Sequence, residues 1–124
     1  MTTQEKLEKI VKILDSKKAV DIKVIGITNL SIIADYFVIA TGTSTTQVKS
    51  LADEVDFQLG QLGIEPRGVE GVRAANWIVH DYNDIVVHVF YPQTREEYSL
   101  EHLWADGEQV DISHLLIDGE NTGA

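Results

Sequence analysis

The chain has 124 residues, no cysteine and a formal net charge of −10. That length fits a single domain burying roughly two-thirds of its unfolded surface, large enough to fold without a metal or disulfide. The lack of cysteine excludes thiol nucleophiles, thiolate metal sites and redox switching, and fits a reducing compartment.

Charge is distributed unevenly. Through Leu62 there are eight acidic residues against seven lysines; from Gly63 onward there are twelve acidic residues against three arginines and no lysine. An acidic C-terminal half repels nucleic acid phosphates and anionic membranes, and favours encounter with a basic partner. Solubility alone is the competing explanation. The opening MTTQEKLEKI has neither the apolar core of a signal peptide nor the bias of a transit sequence. No run approaches the ~20 apolar residues of a membrane span. A soluble, cytoplasmic protein is expected, with residues 1–118 as the domain and 119–124 as a disordered tail.

In chain order, Thr2-x-x-Glu5 forms a capping-box pattern, and Leu7, Ile10, Val11 and Leu14 make one helical face ending near Lys17-Lys18. Asp21–Ile27 reads as a strand, and Thr28–Ser31 as a turn. Tyr36–Ala40 is a continuous apolar run, the pattern of a strand buried on both faces. Thr41-Gly42-Thr43-Ser44 follows, with Thr43 or Ser44 placed to cap a helix whose stripe is Val48, Leu51, Ala52, Val55, Leu59 and Leu62. Gly63 and Pro66 stop it. This strand, turn and helix form the α/β unit around which the rest is layered.

Arg67–Arg73 is glycine-punctuated and reads as a short strand or extended loop. Trp77–Asp81 and Ile85–Phe90 read as a hairpin about Tyr82-Asn83-Asp84. Alternation puts Trp77, Val79, Asp81, Val86, His88 and Phe90 on one face. Ile78, His80, Ile85, Val87 and Val89 fall on the other, more uniformly apolar face, which is expected to pack on helices. Pro92 ends the second strand, and Thr94-x-x-Glu97 suggests a capping box opening a short helix. Leu100, Leu103 and Trp104 cluster before an Asp106-Gly107 turn, and Val110, Ile112, Leu115 and Leu116 are able to dock.

The chemistry these residues permit is narrow. The Thr41–Ser44 turn at a helix N-terminus would present amides to an anion, and is similar to the glycine-serine turn of nucleotidyltransferases. Those enzymes need paired carboxylates to hold two metal ions, and after the helix only Glu70 is on offer. A nucleotide or metal at Thr41–Ser44 is therefore the alternative reading. His88 could join Asp81 and Asp84 as hard metal ligands, whereas His80 lies on the opposite face. No serine sits in a nucleophile elbow. No catalytic residue, cofactor site or metal site is assigned.

Asp35–Ser44 (DYFVIATGTS), Gly68–Gly71 (GVEG), Trp77–Phe90 (WIVHDYNDIVVHVF) and Arg95–Trp104 (REEYSLEHLW) resemble the ribosomal silencing factor family, also called the Iojap family. The likeness runs through nearly the whole chain in order. Most family members carry glycine where Asn83 stands, so the turn tolerates a residue able to adopt positive φ. The resemblance implies a single α/β domain with a mixed sheet and flanking helices, a nucleotidyltransferase-like minimal core without catalytic carboxylates. It implies a non-enzymatic protein that binds large-subunit ribosomal protein fourteen, blocks joining of the small subunit and lowers translation when nutrients are scarce.

On that reading the hairpin and the segment after it form the interface. Trp77 and Tyr98 are the expected aromatic anchors, and Asp81, Asp84, Glu97 and Glu101 the acidic partners for lysine or arginine. Leu100, Leu103 and Trp104 supply the apolar centre, and His88 lies on the Trp77 face. Core packing or a solvated face is the alternative for each. A homodimer is expected of the free protein from its edge strands and exposed apolar residues; neither DNA nor a membrane is an expected partner.

Overall fold

The computed structural model describes residues 1–117. The expected disordered tail lies outside the described residues. Helix α1 (Thr3–Ser16) begins with the expected capping box: Thr2 accepts from the Glu5 amide, and the Glu5 carboxylate accepts from the Thr2 amide. Its stripe of Leu7, Ile10, Val11, Ile13 and Leu14 is buried. The helix ends near Lys17-Lys18 as expected, with Lys17 as C-cap, in a Schellman turn. Ala19 N donates to Leu14 O and Lys18 N to Asp15 O, with Lys18 at φ 68°.

Strands β1 (Val20–Gly26), β2 (Tyr36–Thr41), β3 (Gly68–Glu70), β4 (Trp77–Asp81), β5 (Ile85–Phe90) and β6 (Glu108–Gln109) form one sheet, ordered β3-β4-β5-β2-β1-β6. β2 and β5 are parallel; the other pairings are antiparallel. Every residue of β2 after Tyr36 is buried, as its unbroken apolar run requires of a central strand.

Helix α2 (Thr45–Gln61) is capped by Ser44, whose hydroxyl accepts from the Gln47 amide. Gly42 lets this helix start close to the strand: a Cβ there would stand 2.8 Å from Val48 N. Val48, Leu51, Ala52, Val55 and Leu59 are buried as expected. Leu62 departs from the stripe. It is the C-cap, past the last full turn, and 50% exposed.

The hairpin has the expected faces. Trp77 pairs with Phe90, Val79 with His88 and Asp81 with Val86, and Asn83 turns the chain at φ 79°. Ile78, Ile85, Val87 and Val89 join residues of α1 and α2 in the larger core. Ile25, Ile27, Phe37, Ile39, Val86 and Phe90 form a second core on the opposite face, with Leu100 over them.

Helix α3 (Pro92–Tyr98) corrects the expected capping box. Its N-cap is Tyr91 with no side-chain cap, and Thr94 lies inside its first turn. Proline at the first helical position fixes the start, because it has no amide to leave unpaired there. Ser99, at φ 45°, separates α3 from the single turn α4 (Leu100–Leu103). After the Asp106-Gly107 turn, β6 adds an unexpected edge to β1, and Ile112, Leu115 and Leu116 dock. The Asp15 carboxylate accepts from Ile117 N and ties this segment to α1.

Candidate interaction surface

The face of the sheet away from α1 and α2 carries a connected run of rings. Tyr98 lies 4.7 Å from Trp77, and Trp77 stacks on Phe90 at 4.9 Å. His88 meets Phe37 edge-on at 4.8 Å, and Phe37 meets Trp104 edge-on at 5.3 Å. Such tilted and edge-to-face contacts are favourable arrangements for rings. Alternation along β4 and β5 puts Trp77, His88 and Phe90 on this face, and the parallel register sets Phe37 beside Val86.

Among the described residues the helices that roof this face are α3 and α4, and the roof is incomplete. Leu100 is buried and Trp104 and Trp77 are half-buried, but Tyr98 is 59% and Leu103 72% exposed. Leu100 therefore packs inward and Trp104 keeps part of its ring at the surface, while Leu103 and Tyr98 offer apolar surface outward. Trp77 and Val79 show a part of theirs between the roof and the sheet edge.

Arg95 holds the roof down. It is 8% exposed; its Nε and Nη2 grip both Glu101 oxygens at 2.9 and 3.0 Å, and Nη1 donates to Asp21 O and Thr41 Oγ1, each at 2.7 Å. The bidentate pair spans the Ser99 bend and sets the angle between α3 and α4. Glu101 is thus committed within the molecule rather than offered outward; the Arg95 hydrogen bonds keep its carboxyl below its ordinary range.

The acids of the hairpin are committed too. Asp84 accepts from Lys6 Nζ at 2.8 Å and Thr3 Oγ1 at 2.7 Å, fastening the start of α1 to the turn. Burial pushes its pKa up, but the Lys6 and Thr3 bonds outweigh burial and leave it lowered. Asp81 accepts from Arg67 and from the Asn83 amide, which likewise outweigh burial. Of the four acids expected to meet a partner, Glu97 is the exposed one outside such pairs.

Among the described residues no three histidine or carboxylate side chains come together as a metal site. His80 packs under α2 with its Nδ1 3.3 Å from the Tyr82 hydroxyl, and burial lowers its pKa. The Thr41–Ser44 turn is closed on itself: Gln47 Oε1 accepts from both the amide and the hydroxyl of Thr43, at 2.6 and 2.7 Å. An anion there would have to displace that side chain.

Phe37, Phe90, Val79 and Arg95 were not foreseen as parts of this surface. Alternation already placed Val79 and Phe90 on the Trp77 face; Phe37 joins only through the long-range parallel register. A single arginine inside Arg95-Glu96-Glu97 was the available sign of an internal ion pair.

Among the described residues no helix is long and apolar enough to cross a membrane. Residues 1–123 match the family model described as ribosomal silencing factor during starvation. The chain is 37% identical over 116 residues to the ribosomal silencing factor of Halalkalibacterium halodurans, covering 94% of this chain and 99% of that protein. It is 40% identical over 98 residues to that of Bacillus subtilis, covering 79% and 83%. A crystal structure of a Chromobacterium violaceum protein superposes with a TM-score of 0.83 at 33% identity, covering 90% of this chain and 92% of that one. With a family model matching nearly every residue and a shared fold, the chain belongs to the ribosomal silencing factor family.

Proposed function

We propose that this chain binds the large ribosomal subunit through ribosomal protein fourteen and, by occupying that contact, blocks joining of the small subunit and represses translation when nutrients are scarce. The observation that carries the reading is the connected aromatic strip from Tyr98 to Trp104, left partly open by a short roof. Large rings with an exposed leucine beside them give an interface contact area at low entropic cost. Trp77, Tyr98, Leu103 and Trp104 form the contact, with Glu97 at its rim. Asp81, Asp84, Leu100, Glu101 and His88 act through the shape they hold. The acidic C-terminal half favours a basic ribosomal protein.

Such a protein works in the cytoplasm without catalysis, by mass action against the small subunit for one face of the large one. The free protein is a homodimer in this reading, supported by the open β3 edge with Val69 and Val72 exposed. Light scattering that gives a monomer mass across micromolar concentrations would remove the dimer.

The test is sedimentation with separated ribosomal subunits in a salt series, followed by subunit joining. The expected result is co-migration with the large subunit alone and a smaller joined-ribosome peak. Protein that stays at the top of the gradient at low salt would refute the reading.

A further inference from the structure

His88 is a polar ring where an apolar one would fit. It lies on the aromatic face, 6% exposed, opposite Val79 on β4 and beside Ile39 on β2. Phe37 meets it edge-on, Phe90 lies nearly parallel to it at 6.3 Å, and the Trp77 ring is 6.0 Å away. Trp77 Nε1 donates to His88 Nδ1 at 3.1 Å, so in the neutral ring Nδ1 is the acceptor and the proton sits on Nε2. That Nε2 is fully buried and has no hydrogen-bond partner among the described residues.

A buried donor without an acceptor destabilises a fold, and a phenyl ring in its place would remove that penalty at little change in volume. Packing therefore does not account for a histidine here. What imidazole does and phenyl cannot is accept the indole N–H. The Trp77 indole is half-buried, stacked on Phe90 and touching Tyr98. Without an acceptor, its N–H would lie against apolar rings, and the indole would turn to reach water, changing the edge it presents.

We propose that His88 is a positioning residue that holds the Trp77 indole in the one orientation in which it meets the partner. The inference rests on the reading of this face as the ribosome contact. His88 itself touches nothing outside the chain; it acts through Trp77.

The test compares His88→Phe with His88→Asn, whose side-chain oxygen lies close to the place of Nδ1. Three readouts are taken: melting temperature, the Trp77 indole N–H cross-peak of the free protein, and co-sedimentation with large subunits. His88→Phe should melt at or above the wild-type temperature, yet shift the indole cross-peak, speed its hydrogen exchange and weaken binding about fivefold to tenfold. His88→Asn should melt lower, having lost the ring, while restoring the cross-peak and most of the binding. In a Trp77→Phe background, His88→Phe should weaken binding no further.

Binding of His88→Phe within twofold of wild type, or an unmoved indole cross-peak, would overturn the proposal. Loss of binding in step with loss of melting temperature in both variants would reduce His88 to a structural role. Failure of the wild type to sediment with large subunits would refute the contact reading itself, while the cross-peak and melting data, read on the free protein, would still show whether the indole is held.

Discussion

One face of the sheet lies under helices of fourteen and seventeen residues, and the side chains between them are mostly aliphatic and buried. The other face lies under helices of seven and four residues, is rich in rings, and leaves Tyr98 and Leu103 open to solvent. The same strands supply both. Burial is concentrated where long amphipathic helices cover a continuous stripe; under the short roof the rings stay accessible, and that is the surface we propose for recognition. The uncovered part of that face, at Tyr98 and Leu103, adds little to the fold and keeps apolar area for another molecule.

Substitutions that act on one face and spare the other sharpen this contrast. Leu51→Ala, on the buried side of α2, should lower unfolding free energy by about 3 to 4 kcal/mol in denaturant titration, because the site is fully enclosed. Large-subunit binding by the molecules that remain folded should not change. Arg95→Met should cost about 3 kcal/mol, since it leaves Glu101, Asp21 O and Thr41 Oγ1 without their cation. Amide exchange in that variant should rise first across 92–104, with α1 and α2 protected; uniform exchange would show that the roof is not a separate unit.

Trp77→Ala should reverse the balance. A loss of about 1 to 2 kcal/mol in stability should accompany a loss of at least about 2 kcal/mol in binding, near thirtyfold in sedimentation. Asp84→Asn should cost about 1 kcal/mol, because both charges of the Lys6 pair keep some access to water. Its sign with pH is fixed. The carboxyl is lowered in the folded chain, so its contribution is complete above the ordinary aspartate range and fades as pH falls through the lowered value. Wild type and Asp84→Asn should therefore converge in strongly acidic melts. Leu103→Ser should be the mildest for the fold, within about 0.5 kcal/mol, while weakening binding several-fold.

Much of the framework was legible before the structure because it is periodic. The helical stripes of α1 and α2, the unbroken β2 and the alternating hairpin each carry their period within a few residues. Long-range partners carry no such signature. Asp84 and Glu101 read as outward acids until the fold brings Lys6 and Thr3 to one and Arg95 to the other. Phe37 joins the aromatic strip only because β2 and β5 run parallel in one register. The start of α3 was misread for a local reason: Thr94-x-x-Glu97 fits a capping box, but Pro92 begins the helix with Tyr91 as its N-cap, three residues before Thr94. Family likeness identified the protein's kind; the side chains free to meet a partner were apparent only once internal pairs were known.

The most direct measurement is a titration of the isotope-labelled protein with purified ribosomal protein fourteen, followed by NMR through assigned amide and indole resonances. The two-faced account predicts changes centred on the Trp77 and Trp104 indoles and on Tyr98 and Leu103, with the outer surfaces of α1 and α2 unmoved. Changes concentrated on α1 and α2, or none at saturating concentration, would contradict it.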